Sequence, residues 1–234
     1  MSKDYSEVTV VIPTLNEEKN IGLLIDILLQ SYPNIHIVVT DDGSKDQTQE
    51  IVKNRSKINP HVGLLDRTHA PIHGLTASVL DAIKELSTRL FVVIDGDLQH
   101  PPSKIKEIVD QLWADYFVVI GIRVSVPDWK FSRRLMSWGA SFLGRIALFM
   151  KHAPSSSDIM SGFFGANTRL IQYITRKHPN KFRLQGYKVL FEILKLCPRD
   201  LPIAEVPYTF DARKRGESKI GQTQILEYLW SIFV

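Results

Sequence analysis

Leu90-Phe91-Val92-Val93-Ile94-Asp95-Gly96-Asp97-Leu98-Gln99 is the stretch on which the fold turns. Five apolar residues followed at once by two carboxylates read as a short buried strand ending in an acidic turn. Side chains two apart on an extended chain point the same way, so both acids aim at one spot. Two hard oxygen donors at a strand's end suit Mg²⁺ or Mn²⁺, ions that hold diphosphates, and Gln99 adds a neutral oxygen. Taken alone, the same aspartates also read as solvated turn residues that cap the next helix.

On either side, the first half alternates buried strands with amphipathic helices. Val8 to Pro13 reads as a strand, and a helix from about Glu17 carries Ile21, Leu24, Ile25, Leu28 and Leu29 on one face. Thr14-x-x-Glu17 has the capping-box pattern. Ile35 to Thr40 is the second strand, left through the turn Asp41-Asp42-Gly43, with Ser44-x-x-Gln47 as a second cap. His61 to Asp66 is the third, and a loop with Arg67, His69, Pro71 and His73 leads to a helix bearing Leu75, Val79, Ile83 and Leu86. After the fourth strand, Leu90 to Ile94, Pro101 and Pro102 start a helix with Ile105, Ile108, Val109 and Leu112 inward. Tyr116 to Ile120 is the fifth strand. Repeated βα units predict an α/β fold, a Rossmann-like and mostly parallel sheet flanked by helices, with ligands at the carboxyl ends of the strands. Both acidic turns fall there.

After Gly121 the pattern changes. Residues 129 to 150 read as one long helix with Leu135, Trp138, Phe142, Ile146 and Phe149 down one side and Arg133, Arg134, Ser137, Ser141 and Arg145 on others. That mixture suits either a membrane interface or core packing. A polar loop, Pro154 to Asp158, precedes Gly162-Phe163-Phe164-Gly165. A further helix carries Leu190, Ile193, Leu194 and Cys197, Ile203 to Val206 is a strand, and Phe210 to Lys219 reads as basic and mobile. Without internal repeats, the second half is an elaboration of one domain.

Composition narrows the class. The 234 residues, 44% hydrophobic and 23% charged, suit one large domain with ample core. A single cysteine, Cys197, rules out an internal disulfide or a cysteine cluster for zinc. With no signal peptide in view, a reducing, cytoplasmic setting is expected. A net charge of +4 allows attraction to anionic surfaces without demanding nucleic acid. No apolar run reaches the roughly 18 residues of a membrane span. The last stretch, Tyr228 to Val234, reads as the start of a membrane segment or of a partner-binding end.

Neither Gly-x-Gly-x-x-Gly after the first strand nor Gly-x-x-x-x-Gly-Lys-Ser/Thr occurs, so the usual phosphate cradles are absent. The acidic tip and its metal are left to hold a diphosphate. Asp41 and Asp42, at the second strand's end, suit hydrogen bonds from a base or ribose. His100, beside the tip, is expected to pack or cap and not to bind metal.

Three ordered motifs resemble those of family 2 glycosyltransferases: Val10 to Glu17, Asp41-Asp42-Gly43-Ser44-x-Asp46-x-Thr48, and Asp95 to Pro102. Ser161-Gly162-Phe163-Phe164, Gly186 to Leu190 and Arg213-x-x-Gly216-Glu217-Ser218-Lys219 resemble the branch that mannosylates polyprenyl (dolichyl) phosphate. The similarity spans residues 8 to 222 and implies a GT-A catalytic domain over 1–222, with 223–234 a C-terminal segment. It implies inverting transfer of mannose from GDP-mannose to a polyprenyl phosphate. Pro13, Leu15, Glu17, Asp41 and Asp42 would then line the nucleoside pocket, and Asp95, Asp97 and Gln99 would bind the metal and, through it, the diphosphate. Arg123, Arg133 and Ser137 would receive the acceptor phosphate, and Arg213 and Lys219 would close over the sugar donor; the reaction itself would fall to Asp97, Arg123 and Arg133. The family's Gly-Ser-Arg is here Gly121-Ile122-Arg123, and its Gly-Leu-Gly-Thr-Ala is here Gly74-Leu75-Thr76-Ala77, so the loop after Arg67 departs from the pattern.

Physical chemistry agrees with such an acceptor. A phosphate monoester, with a second pKa of about 6, is already a nucleophile at neutral pH and needs no general base, and the sequence offers no compelling Ser-His-Asp or Cys-His set. Cations must instead bring two anions together, a task for which arginine's forked geometry is suited. Two other readings remain open: a polyprenyl-phosphate glucosyltransferase using UDP-glucose, and a catalytically silent nucleotide-sugar-binding scaffold subunit. The expected location is the cytoplasmic face of a membrane, peripheral or held by an anchoring domain or subunit.

Overall fold

The computed structural model describes residues 4–125 and 131–210, the side chains of 125, 131–138 and 140 excepted. The positions of Arg213 and Lys219 lie outside the described residues, as do the side chains of Arg133 and Ser137.

Strands β1 (Val8–Thr14), β2 (His36–Asp41), β3 (Val62–Asp66) and β4 (Leu90–Val93) alternate with helices α1 (Ile21–Ser31), α2 (Thr48–Ile58) and α3 (Leu75–Glu85). A 3-10 turn at Pro102–Lys104 leads into α4 (Ile105–Trp113), followed by β5 (Val118–Ser125) and α5 (Phe131–Met150). The rest is β6 (Phe164–Asn167), α6 (Thr168–Lys177), α7 (Val189–Leu194) and β7 (Ile203–Thr209). The seven strands form one sheet in the order β3-β2-β1-β4-β6-β5-β7. β6 runs antiparallel to both neighbours and the other pairings are parallel. β1 and β4 are buried along their whole length, as expected of strands covered by helices on both faces.

Several expected details shift, each for a local reason. α1 begins at Ile21 and not near Glu17, because the Thr14 hydroxyl donates to Asp41 Oδ2 (3.0 Å) and caps nothing. Ser44 is likewise turned onto Asp41, and Asp46 Oδ1 accepts from the first amide of α2, Thr48 N (3.0 Å). β5 runs on past Ile120 to Ser125, because β7 pairs beside it and sets Arg123 opposite Tyr208. Arg123 therefore sits on a strand and not in the loop after one. β6 and α6 have no counterpart in the sequence reading. On α5 the expected apolar stripe points outward over its last turns: Phe142, Leu143, Ile146, Phe149 and Met150 are exposed, while Ala147 and Leu148 are buried.

Gly165 lets α4 lie close on β6. A Cβ there would meet Ile108 Cγ2 at 2.6 Å, Leu112 Cδ1 at 2.9 Å and the Phe91 carbonyl oxygen at 3.1 Å. Since that oxygen belongs to the sheet, G165A is expected to cost about 1–3 kcal/mol, as overpacking does. Urea unfolding checks this through a lowered midpoint at unchanged slope.

Candidate active site

The sheet order sets the ends of β2, β1 and β4 side by side along one edge, with that of β5 beyond the start of the antiparallel β6. At the end of β2, Asp41 is fully buried. Its Oδ1 accepts from Gly43 N (3.2 Å), Ser44 N (2.8 Å) and Gln49 Nε2 (2.9 Å), and its Oδ2 from the Thr14 and Ser44 hydroxyls. With both oxygens so engaged, Asp41 organises the turn. Asp42 is also engaged. Its Oδ1 accepts from Arg67 Nη1 and faces His73 Nδ1 (3.0 Å), and its Oδ2 accepts from Gly74 N (2.7 Å). Arg67, only 4% exposed, also donates to Asp81 Oδ2, Ser78 Oγ and the Ile72 carbonyl. It thus ties the ends of β2 and β3 to α3.

The loop after β1 is stapled to the loop after β2: Asn16 N donates to Ser44 Oγ (2.7 Å), Glu17 N to Thr48 Oγ1 (2.8 Å) and Glu18 N to Asp46 Oδ2 (3.1 Å). Ser44, Asp46 and Thr48 of the second motif therefore hold the first. Pro13 is buried at the end of β1, beyond Val11, where the ladder to β4 stops, so its missing N–H disrupts no pairing there. Leu15 is exposed at the rim, and half-buried Glu17 accepts from Asn20 Nδ2 (3.1 Å).

The acidic tip follows β4. A Cβ on Gly96 would lie 3.2 Å from Thr14 Cγ2 and 3.5 Å from Glu17 Cγ, so the tip rests against the end of β1. Leu98 turns the chain in the left-handed region (φ 63°), a conformation that costs a non-glycine residue about 1–2 kcal/mol, and Gln99 N donates to Asp97 Oδ1 (3.1 Å). Asp97 is buried, while the Asp95 side chain is 34% exposed. Burial pushes the Asp95 carboxyl up, but the hydrogen bond from His100 and the positive charges of Lys188 and Arg123 hold it below the ordinary carboxylate range. A pair of carboxyl groups separated by one residue, with Gln99 adjoining, fits a hard divalent cation that draws its remaining ligands from phosphate and water. Among the described residues no group of three or more His, Cys, Asp or Glu stands as a ligand set. His69 and His73 are four apart, but Pro71 lies between them in a loop.

At β5, Arg123 Nε and Nη2 grip Asp158 Oδ2 (2.7 Å) and Oδ1 (2.8 Å). Glu205 on β7 pins the loop before Asp158, accepting from Ser156 Oγ (2.7 Å), Ser157 N (2.6 Å) and Ser157 Oγ (3.0 Å). Lys188 Nζ donates to the Met160 carbonyl (2.9 Å), and its charge acts on both Asp95 and Asp158. The edge thus carries a carboxylate pair at its middle and cations beside it, the arrangement needed to join two anions.

Residues 9–175 match the family model described as Glycosyl transferase family 2. The chain belongs to glycosyltransferase family 2. Within that family it is 38% identical, over 97% of its own length and 63% of the relative's, to the dolichol-phosphate mannosyltransferase of Pyrococcus furiosus. It is 32% identical to the Saccharomyces cerevisiae enzyme of the same name, over 98% of this chain and 85% of the relative. The chain therefore spans rather less than two thirds of the archaeal relative. Among solved structures, glucosyl-3-phosphoglycerate synthase from Mycobacterium tuberculosis has a TM-score of 0.67 at 19% identity, over 97% of this chain and 80% of that one. At that identity the likeness establishes a shared GT-A fold.

Four residues of this family 2 site escaped the sequence reading as functional positions: Asp158, Lys188, His100 and Tyr208. His100 and Lys188 lie inside motifs that carried the resemblance, which was the available signal, and Asp158 lies just outside one. Tyr208 had none.

Burial alone would raise the Asp158 carboxyl, yet the hydrogen bonds and charge of Arg123 outweigh it and lower its pKa. A carboxyl with a folded pKa below its unfolded value binds fewer protons when folded. Its contribution is complete above about 3.9 and is lost as pH falls through the lower folded value. D158N strands Arg123 and is expected to cost about 3–5 kcal/mol at pH 7. In urea titrations the gap between wild type and D158N should narrow as pH falls below about 4; a gap independent of pH would contradict the assignment.

Proposed function

We propose that the chain transfers mannose from GDP-mannose to the phosphate of a polyprenol, inverting the sugar and releasing GDP. The observation that carries this reading is the Asp95–Asp97 tip, with Asp95 held anionic beside Arg123, on one edge of a GT-A sheet in a chain whose relatives bear the name dolichol-phosphate mannosyltransferase.

Asp95, Asp97 and Gln99 would hold Mg²⁺ or Mn²⁺, and the cation would offset the charge that gathers on the departing diphosphate. The Mycobacterium synthase, whose fold this chain shares, is described in complex with Mn²⁺ and UDP. Leu15 and Glu17 form the rim against which the nucleoside rests, and Asp42, fixed by Arg67, forms the wall. Arg123 draws the acceptor phosphate toward the face of the sugar opposite the leaving group, so that the anomeric carbon inverts. Arg133 and Ser137, one turn apart on α5, join it, and Arg213 and Lys219 close over the sugar donor. No side chain removes a proton, because the acceptor is already an anion.

The exposed apolar residues of α5, with Arg145 and Lys151 also exposed, support docking on a membrane surface where a polyprenyl phosphate presents its head group. Among the described residues no helix is long and apolar enough to cross a membrane. The catalytic unit is taken as residues 1–222.

Incubation with labelled GDP-mannose, a polyprenyl phosphate and Mg²⁺ or Mn²⁺ should give a chloroform-soluble labelled product, lost on chelation. D97N should lower its rate at least about a hundredfold, the scale of losing one electrostatic contact in a dry site. Label entering the lipid from UDP-glucose but not from GDP-mannose would overturn the choice of donor, and an undiminished rate in D97N would overturn the metal role.

A further inference from the structure

We infer that His100, braced by Tyr208, is a positioning residue that fixes the Asp95 carboxylate for a divalent cation; this rests on the metal role proposed above for the acidic tip. His100 is 2% exposed, and its two ring nitrogens are both engaged. Nε2 lies 3.0 Å from Asp95 Oδ2 and Nδ1 lies 2.8 Å from the Tyr208 hydroxyl. An ionised carboxylate only accepts hydrogen bonds, so the ring donates from Nε2 to Asp95 whether it is neutral or protonated. In the neutral form Nδ1 accepts from the phenol, which burial keeps protonated by raising its pKa. The Tyr208 bond thereby selects the tautomer that holds Asp95.

The ring has no room to turn away. It lies 5.3 Å from Phe163, 5.5 Å from Tyr208 and 5.2 Å from Phe210, centroid to centroid. These partners come from the lead-in to β6 and from β7 and its end, so two distant parts of the chain clamp a residue five positions after Asp95. The carboxylate is confined from its other side by Gly162, where a Cβ would stand 3.1 Å from Oδ2 and 3.2 Å from Oδ1.

Carboxylate χ2 is otherwise a soft torsion. Held at Oδ2 and flanked by the Gly162 backbone, Asp95 has a single orientation and keeps Oδ1 for a ligand. Without the clamp, a cation would have to order the carboxylate as it binds. Hydrogen-bond partners of metal ligands typically contribute 10–100-fold to metal affinity.

The test titrates Mn²⁺ into the full chain and reads the free ion by electron paramagnetic resonance, alone and with GDP or UDP. H100L should weaken Mn²⁺ binding about tenfold or more, and H100Q, whose amide nitrogen can donate to the same oxygen, should recover most of the loss. Y208F should fall between wild type and H100L. In the labelled-lipid assay H100L should show a raised Mn²⁺ requirement while its rate approaches that of wild type at saturating Mn²⁺. Equal losses in H100L and H100Q, or an unchanged Mn²⁺ constant in H100L, overturn the inference. Should H100L fail to fold, Y208F decides: an unchanged constant there overturns it as well. A wild-type chain that binds no Mn²⁺ sinks both this role and the metal site. One that binds Mn²⁺ but makes no labelled lipid sinks only the proposed reaction, since the effect of His100 is read without turnover.

Discussion

Carboxylates are drawn wholly or partly out of bulk water along one edge of the sheet, and each has to be met by hydrogen-bond donors or by positive charge. Asp41 is met by two backbone amides, an amide side chain and two hydroxyls. Asp42 is met by the buried guanidinium of Arg67, Asp158 by that of Arg123, and Asp95 by His100. Removing one member strands its partner, so the edge stands or falls as a set. The same arrangement makes the edge suited to chemistry. Its dipoles and charges are already oriented and need not be reorganised when a diphosphate and a second anion arrive.

Much of this was legible in the sequence, and the exceptions have physical causes. Strands covered on both faces are largely apolar, so β1, β2 and β4 announced themselves as apolar-rich runs. β6 is only four residues, Phe164 to Asn167, and Gly165 is there to admit α4, which leaves no pattern to read. The acidic turns were found, but their division of labour was not. Adjacent aspartates look alike in sequence, and the inward one is told apart only once Thr14, Ser44 and Gln49 are seen around Asp41. Apolar residues at helical spacing on α5 suited both core and interface, until Phe149 at 70% exposure placed the last turns of the stripe outside. Arg123 was read as a loop residue because the strand beside it, β7, begins some eighty positions later. The link from Tyr208 to His100 spans 108 positions, and no local spacing encodes it.

The two halves of the edge differ in origin. The half at β1 and β2 is built by contiguous βα units, with loops that staple one another over short separations. The cationic side is assembled from β5, the loop before β6 and β7. They meet at Asp95, which takes its peptide geometry from β4 and its side-chain environment from His100, Gly162 and the charges beyond. A change can thus be made on one side while the other keeps its frame.

The reversed strand has a consequence for the chain as it is made. β1 to β4 can pair among themselves from neighbouring sequence, but the far edge of β4 is satisfied only by β6. While the intervening seventy or so residues are still being translated, β4 carries an open ladder of peptide groups next to an acidic tip whose answering arginine is not yet folded. An unpaired edge is where a nascent chain joins a neighbour. The interval between these strands on the ribosome is thus the point in its life at which this molecule most needs shielding.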